Sequence, residues 1–499
     1  MNKDLREKIP ESVVWTLARL QEKGYESYIV GGCVRDICIG REPKDFDVTT
    51  NADPEQIISV FEVTDRRVVY ENSFGTVAII NKDLEVGDVA YEIEITPYRT
   101  EGAYSNNRHP DNVSFSKKIS DDLMRRDFTI NAMAYDPIND VFIDEYGGET
   151  DLRNSVIRTV GVAEERFGED ALRIMRAVRF SAQLGFICET GTLSAIRNYA
   201  SCLENISKER IRDEFIKIVD APYAMDGITH LHKLGLLKYI VPELEEGVGC
   251  IQGGTHVYDV WTHNLKSLEH ATNKKYPFFV KLSALFHDIG KPQARQAANG
   301  RGSKEWTFYG HEVVGARMVR DIMKRLKFPK DVSEKVVKLV RYHMFFSDPD
   351  AITLSAARRM VRNVGKDLIW SLMDLRTCDR IGTGRPKEKP YRLRKYHAMI
   401  EQVLRDPISV GMLKINGDIM IGEMGLQPGQ KMGWVLHALL EEVLDDPTRN
   451  TREYLESRAI EMYSMPDEEI KKLGEAGRDK KDQMESQEIK KLNRKHKVS

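Results

Sequence analysis

The residues with the plainest capacity for chemistry are Asp45 and Asp47, in the stretch VGGCVRDICIGREPKDFDVTT at 30–50. In a strand, positions i and i+2 project from one face, so the two carboxylates converge. Adjacent carboxylates repel, and a pair of hard cations such as Mg2+ is their natural compensation, shared with substrate phosphates. Two such ions lower the pKa of an attacking hydroxyl and neutralise a leaving pyrophosphate. YEIEITPYRT at 91–100 offers Glu92 and Glu94 on one face of a further strand, with Glu94 as the third member of the clamp. Upstream, Gly31 and Gly32 stand between a strand and a helix, where bare backbone N–H groups can approach a phosphate. Arg35 adds a fork-shaped phosphate binder. Asp-x-Asp alone is a common surface pattern and a double glycine is most often a turn. Their conjunction with Arg35 and an acidic strand is what points to nucleotide chemistry.

Histidines form a second concentration, between 256 and 343. His287 and Asp288 are adjacent within an apolar helical segment, and burying both without a partner would be costly.

The elements that must position these groups are legible in outline. Residues 11–23 carry Val13, Val14, Leu17 and Leu20 at a helical period. Gly24 and a short apolar run, YIVGG, then read as a strand entering a glycine turn. Further strands are expected at 66–70, 76–80 and 89–96. This mixed order predicts an α/β domain over residues 1–150, with a turn-rich seam at 136–150. From 164 to 240 strand signals nearly vanish, predicting a helical neck and body over 151–250, closed by a glycine-rich seam at 242–256. A histidine-bearing helical domain is expected over 251–385, ending in the seam TGRPKEKP at 383–390. A helical C-terminal region follows at 386–463. The stretch 464–499 is highly charged, which predicts an exposed helix or a flexible tail.

Composition bounds the reading. A chain of 499 residues suggests about three domains. With 41% hydrophobic and 30% charged residues it is ordinary globular material. Its net charge of -2 excludes a polycation built to coat nucleic acid, though not a local basic groove. The six cysteines contain no CxxC and read as small core residues of a reducing compartment. The first residues lack the apolar core of a secretory signal, and no run nears the 18 or so apolar residues of a spanning helix. A cytoplasmic protein without a membrane partner is expected.

GGCVRD followed by DFD resembles the signature of polymerase-beta-like nucleotidyltransferases. SFGTV at 73–77, RRDFTINA at 125–132, EDALRIMRAVRF at 169–180 and KERIRDEF at 208–215 follow in the order of one branch. That branch comprises the class II tRNA nucleotidyltransferases (CCA-adding enzymes) and bacterial poly(A) polymerases, and the resemblance spans roughly residues 25–220. It implies a polymerase-beta-like head followed by a mostly α-helical neck and body. Arg126, Asp127 and Asn131 would then sit beside the incoming ribonucleotide: Arg126 on phosphate, Asp127 and Asn131 on ribose hydroxyls. The bland alternative is a buried Arg–Asp pair at a helix start. Asp170 and Arg173, three apart and hence neighbours on one helical face, would read the base in place of a template. Arg176 and Arg179 would support the pocket or the phosphates. Cytosine and adenine offer Asp170 an amino donor; uracil and guanine present a carbonyl there, and a good bidentate contact discriminates by ~1–3 kcal/mol.

Within the family, the retained Phe74-Gly75-Thr76-Val77 separates this chain from poly(A) polymerases. A full-length loop at 99–115 with Arg108, Pro110 and Asp111 separates it from CC-only enzymes. The expected activity is CCA addition to the tRNA 3′ end from CTP and ATP, with A-only or poly(A) addition as alternatives.

The ordered set His263, His287-Asp288, His311, His343 and Asp379 resembles the HD superfamily of metal-dependent phosphohydrolases. By that resemblance His263, His287, Asp288 and Asp379 hold one divalent transition metal, and His311 and His343 serve a second. Mixed imidazole and carboxylate ligands suit Mn2+, Ni2+, Co2+ or Fe better than Mg2+. Such a module implies action on phosphate-terminated or cyclic-phosphate RNA ends. The rival readings are a metal-stabilised domain that only grips RNA, and an HD phosphohydrolase whose first half only recognises RNA. In 414–450 a glycine-rich turn, Gly425 to Gly429, precedes a helix whose N-terminus would meet a tRNA phosphate. The last ten residues, KKLNRKHKVS, hold five Lys/Arg and no acid, and would add salt-sensitive RNA affinity.

Overall fold

The computed structural model describes residues 5–64, 66–70, 75–80, 92–101, 113–253, 257–297, 306–345, 353–404 and 410–497. They divide into two units: Met1–His343 with Asp374–Arg385, and Met344–Met373 with Pro386–Ser499. No helix among the described residues is long and apolar enough to cross a membrane.

The first unit opens with a seven-stranded sheet. Its strands are β1 (Ser27–Val30), β2 (Phe46–Thr50), β3 (Arg67–Tyr70), β4 (Val77–Ile80), β5 (Glu92–Pro97), β8 (Ala134–Asp136) and β9 (Val141–Ile143), and its order is β3-β4-β5-β2-β1-β8-β9. A separate small hairpin pairs β6 (Arg99–Glu101) with β7 (Val113–Phe115). β2 lies at the centre, antiparallel to β1 and parallel to β5. Val48 on β2, Ile29 on β1 and Ile93 and Ile95 on β5 are buried in one core with Val13, Leu17 and Leu20 of the helix Glu11–Glu22. The alternation of FDVTT therefore sends its apolar side chains into the core and leaves Asp47 on the other face.

The expected seam at 136–150 holds β9 and the start of the helix Gly148–Arg153, and Thr129 is tied to that helix by its hydroxyl on Asp151 (2.7 Å). The seam's glycines and asparagine mark turns inside the sheet domain. Beyond it the helix Leu172–Leu184 is buried along most of its length and packs on the helices Lys208–Val219 and Ala224–Lys233. The region is helical as expected, apart from a short parallel pair, Val156–Ile157 with Ile187–Cys188. The histidine-bearing helices Val260–Asn273, Phe278–Phe286, His311–Arg325 and Lys330–Tyr342 continue the same hydrophobic core.

In the second unit the helices Gln430–Asp445, Arg452–Tyr463 and Asp467–Lys495 enclose a core of Val435, Leu439, Leu440, Leu455 and Ile470. The charged stretch after 464 is thus a docked helix rather than a flexible tail. Ile470 is fully buried, Lys480 bonds Asp445 (2.6 Å), and Lys495 and His496 close on Glu401 (2.8 and 2.7 Å). One apolar anchor per few turns is invisible to a composition argument. None of the six cysteines is in a disulfide, and Cys33, Cys250 and Cys378 are buried.

Two candidate active sites

In the head, β1 ends at Val30 and the chain turns at Gly31, with φ of +81°, into the helix Gly32–Cys38. That left-handed conformation strains any residue bearing a Cβ. A Cβ there would also lie 2.9 Å from Arg126 Nη1 and 3.9 Å from Asp47 Oδ2. Bare backbone, a guanidinium and a carboxylate thus meet at one point. Across the parallel pair, Asp47 is in register with Glu94. Asp45 lies just before β2; it and Glu94 are exposed while Asp47 is half-buried. Burial and the neighbouring Asp45 charge raise the Asp47 carboxyl above its ordinary value, with Arg126 opposing them. Three carboxylates so placed are a donor set that fits hard divalent cations.

Behind them runs a chain of polar contacts. Arg35 donates to Asn131 Oδ1 (2.7 Å), Asn131 Nδ2 donates to Asp127 Oδ1 (3.1 Å), and Arg176 donates to Asp127 Oδ2 (2.6 Å). Burial alone would raise the Asp127 carboxyl, but Arg176 and Asn131 overcome it and hold it at about 2. The guanidiniums of Arg35, Arg176 and Arg179 lie 5.1, 5.5 and 4.3 Å from the centre of the Phe180 ring. Arg179 pairs with the buried Glu214 (2.9 Å). Its guanidinium is lowered to about 10, first by desolvation and then by Arg176. RRDFTINA does not begin a helix: Arg125 and Arg126 both fold back on Asp122 (2.5 and 2.9 Å), and Asn131 closes a single 3-10 turn.

One spacing inference needs correction. Asp170 and Arg173 do not share a helical face, because Asp170 ends the helix Ala163–Glu169 and Arg173 lies in the first turn of the next. Arg173 bonds Glu169 (2.5 Å) and the Arg125 carbonyl (2.9 Å), whereas Asp170 accepts from Arg210 (2.7 Å). The break between the helices was hidden by the unbroken apolar pattern. Asp122, Glu169, Arg210 and Glu214 thus escaped sequence reasoning as partners, although the last two stand inside KERIRDEF. Ser73, Phe74, Arg108, Pro110 and Asp111 lie outside the described residues, as does His256.

The second site is buried. Gly290, just after His287-Asp288, meets the start of the helix His311–Arg325 so closely that a Cβ would lie 2.3 Å from the His311 carbonyl oxygen. That contact brings the His-Asp pair beside His311. Nδ1 of His287, His311 and His343 lies against the carbonyls of Ala284 (2.9 Å), Phe308 (2.7 Å) and Val340 (2.7 Å), turning each Nε2 inward. Asp288 joins two triads. Its Oδ2 is 3.1 Å from His263 and 3.5 Å from His287, and its Oδ1 is 3.2 Å from His311 and 3.5 Å from His343. Within each triad the three ligand atoms lie within 4.8 Å of one another. Asp379 Oδ1 approaches His263 and His287 (3.4 and 3.8 Å). Burial opposes ionisation of Asp288 and Asp379, but Lys291 and Arg376 respectively, with the histidines, hold both well below the carboxylate range. Burial pushes His343 down to about 4; burial also lowers His263, but Asp288 and Asp379 overcome it and raise that imidazole to about 9. Four imidazoles and two carboxylates, buried and convergent, fit divalent metal. Lys291, 2.5 Å from Asp288, was missed, although it stands only three positions further along the chain.

Family models match over three stretches: the poly A polymerase head domain at 27–158, the probable RNA- and SrmB-binding site of polymerase A at 185–247, and the HD domain at 255–381. A CCA-adding enzyme of Geobacillus thermodenitrificans is 30% identical over 439 residues, 88% of this chain and 93% of that one. A CC-adding tRNA nucleotidyltransferase of Thermus thermophilus is 32% identical over 455 residues, with the same coverage of 88% and 93%. The chain belongs to the tRNA nucleotidyltransferase and poly(A) polymerase family. A CCA-adding enzyme of Lactococcus lactis is 44% identical, but over 243 residues that make up 59% of its length. Among solved structures, the CCA-adding enzyme of Bacillus stearothermophilus in complex with CTP is similar with a TM-score of 0.57 and 25% identity, over 92% of this chain and 98% of that one. For a nucleotidyltransferase of this family, dependence on divalent metal follows from the head, and the HD domain adds a second metal-binding module.

Proposed function

We propose that this nucleotidyltransferase adds or repairs the 3′-terminal CCA of tRNA, drawing on CTP and ATP, in the cytoplasm. One observation carries the reading: Asp47 and Glu94 face each other across β2 and β5, with Asp45 beside them and Gly31 and Arg126 at the same point. Asp45, Asp47 and Glu94 would hold two Mg2+ ions, which supply activation of a tRNA 3′-hydroxyl and neutralisation of pyrophosphate. The backbone at Gly31 and Gly32, with Arg35 and Arg126, receives the triphosphate. Asp127 and Asn131, fixed by Arg176 and Arg35, present acceptor and donor to ribose. Asp170 and Arg173 read the base, each steadied by the partner it now holds, Arg210 and Glu169. Arg179 buttresses the pocket from behind through Glu214.

The division of labour we favour assigns catalysis to 1–150, base selection to 151–250 and metal-dependent phosphate chemistry to 251–385. The tRNA body falls to 386–463, where the turn Gly425 to Gly429 meets a phosphate. Asp45→Ala or Asp47→Ala is expected to abolish nucleotide transfer with the thermal unfolding profile retained. Wild-type turnover in either variant would contradict the assignment. A-only and open-ended A addition are the nearest alternatives.

A second activity is favoured by the completeness of the HD cluster. His263, His287, Asp288 and Asp379 would hold a transition metal such as Mn2+, Ni2+, Co2+ or Fe, and His311 and His343, with Asp288, a second. The substrate class is RNA ending in a 3′-phosphate or a 2′,3′-cyclic phosphate. Phosphate release or ring opening under Mn2+ or Ni2+ should survive Asp47→Ala and vanish in His287→Ala. The reverse pattern would remove this reading.

A further inference from the structure

In the second unit the helix Leu354–Val364 packs on the helix Tyr391–Leu404. Ala357, Val361 and Val364 are buried, at the spacing of one helical face. The residues left outside are Arg358, Arg359 and Arg362, with Lys366 just past the helix end, all exposed. The stretch 353–366 holds these four cations and no Asp or Glu. Lys389 and Arg392, at the start of the partner helix, are exposed as well. No ion pair links any of these six to a carboxylate among the described residues. Cations elsewhere in the same unit are engaged: Arg458 with Glu442 (2.9 Å), Lys480 with Asp445 (2.6 Å), Lys495 with Glu401 (2.8 Å). Two aromatics accompany the unpaired set. Trp370, 37% exposed, lies 5.6 Å from the ring of His397 on the partner helix, and Tyr391, 39% exposed, opens that helix.

We infer that the stripe Arg358, Arg359, Arg362 and Lys366, extended by Lys389 and Arg392, is a binding surface for the phosphate backbone of structured RNA. Clustered like charges without counter-ions repel one another, and a polyanion relieves that repulsion while releasing its own condensed ions. The guanidinium suits phosphate geometrically, and exposed aromatics beside cations are the usual companions of nucleic acid. A membrane surface fits less well: an amphipathic helix binds lipid through its apolar face, and here that face is already buried. The inference deepens the proposal that tRNA is the substrate, and rests on it, by placing a sequence-independent grip far along the chain from the motifs that read nucleotides.

The test is direct binding of full-length protein to a tRNA transcript between 50 and 200 mM KCl, roughly the range over which counterion release is resolved. The variants are the triple Arg358→Ala/Arg359→Ala/Arg362→Ala and its Arg→Lys counterpart. Each phosphate contact contributes about 0.9 to the slope of log K against log salt. The Ala variant should therefore flatten that slope by about two to three and weaken binding about ten-fold or more. The Lys variant should keep the slope. Wild-type affinity and slope in the Ala variant would overturn the inference. So would a loss confined to vesicles rich in anionic lipid, which would assign the stripe to membrane. Nucleotide extension of the same tRNA is scored separately. No extension by the wild-type protein, alongside a flattened slope in the Ala variant, would refute the catalytic proposal and leave the surface standing.

Discussion

Asp127→Asn puts a number on the polar chain behind the nucleotide site. In the folded protein Asp127 titrates at about 2, against ~3.9 for an aspartate in an unfolded chain. Each pKa unit is worth ~1.4 kcal/mol, so its ionised form contributes roughly 2–3 kcal/mol to folding. The folded pKa is depressed, so this contribution is fully present above about pH 4 and is lost as pH falls through about 2. The Asn side chain keeps the shape and one acceptor but removes the charge facing Arg176, which is held at 2.6 Å. The expected destabilisation near neutral pH is therefore about 2–3 kcal/mol, at or just below the ~3–5 kcal/mol seen when one partner of a fully buried pair is lost. Hydrogen exchange of the amides of β1 and β2, measured from pH 7 down to pH 3, reports the local opening free energy. The gap between wild type and variant should hold steady to about pH 4 and begin to narrow below it. A gap under about 0.5 kcal/mol at pH 7, or one independent of pH, would refute the reasoning. Arg176→Met should show the matching effect, and the double variant should cost less than the sum of the two.

Gly31→Ala introduces a Cβ at a φ of +81° and 2.9 Å from Arg126. It should cost about 1–3 kcal/mol of stability and ten-fold or more in transfer rate; wild-type kinetics would remove Gly31 from the site. Gly290→Ala drives a Cβ into the His311 carbonyl, so metal content measured by elemental analysis should fall and the HD domain should lose about 3 kcal/mol or more. Unchanged metal content would show that the two segments can separate freely. Asp288→Asn should empty both metal positions, whereas His343→Ala should spare the one built on His263, His287 and Asp379; equal losses would contradict two triads sharing one carboxylate. Glu214→Gln leaves the Arg179 guanidinium buried without its counter-charge and should destabilise the body by about 2–4 kcal/mol in denaturant titration. A neutral result would make the pair dispensable.

Much of the candidate site's geometry was legible because it is local. Asp45, just before β2, and Asp47, on it, differ by two positions, and Gly31, Gly32 and Arg35 occupy one turn and its helix. The strands at 67–70 and 77–80 were visible from apolar runs alone. Pairing was not: only the parallel register of β2 with β5 makes Glu94 the neighbour of Asp47. The strand β9 was lost because its apolar residues are few and flanked by turn formers, so local punctuation outweighed the sheet that recruits them. The spacing of Asp170 and Arg173 misled for the opposite reason, since a helix break leaves no mark when both helices are apolar on the same side. In the HD region residue types pointed to the histidine and carboxylate cluster, but the two-sided placement of Asp288 depends on the contact at Gly290, 25 positions before the Gly315 it also approaches.

The central claim is that protein side chains, without a nucleic-acid template, specify a short and finite sequence at a tRNA end. A tRNA transcript ending just before CCA, incubated in Mg2+ with each nucleoside triphosphate alone and then with CTP and ATP together, tests it directly. Two C residues and one A, followed by arrest, is the expected product, with UTP and GTP refused. An open-ended ladder of A, addition confined to a single nucleotide type, or no extension at all would contradict it.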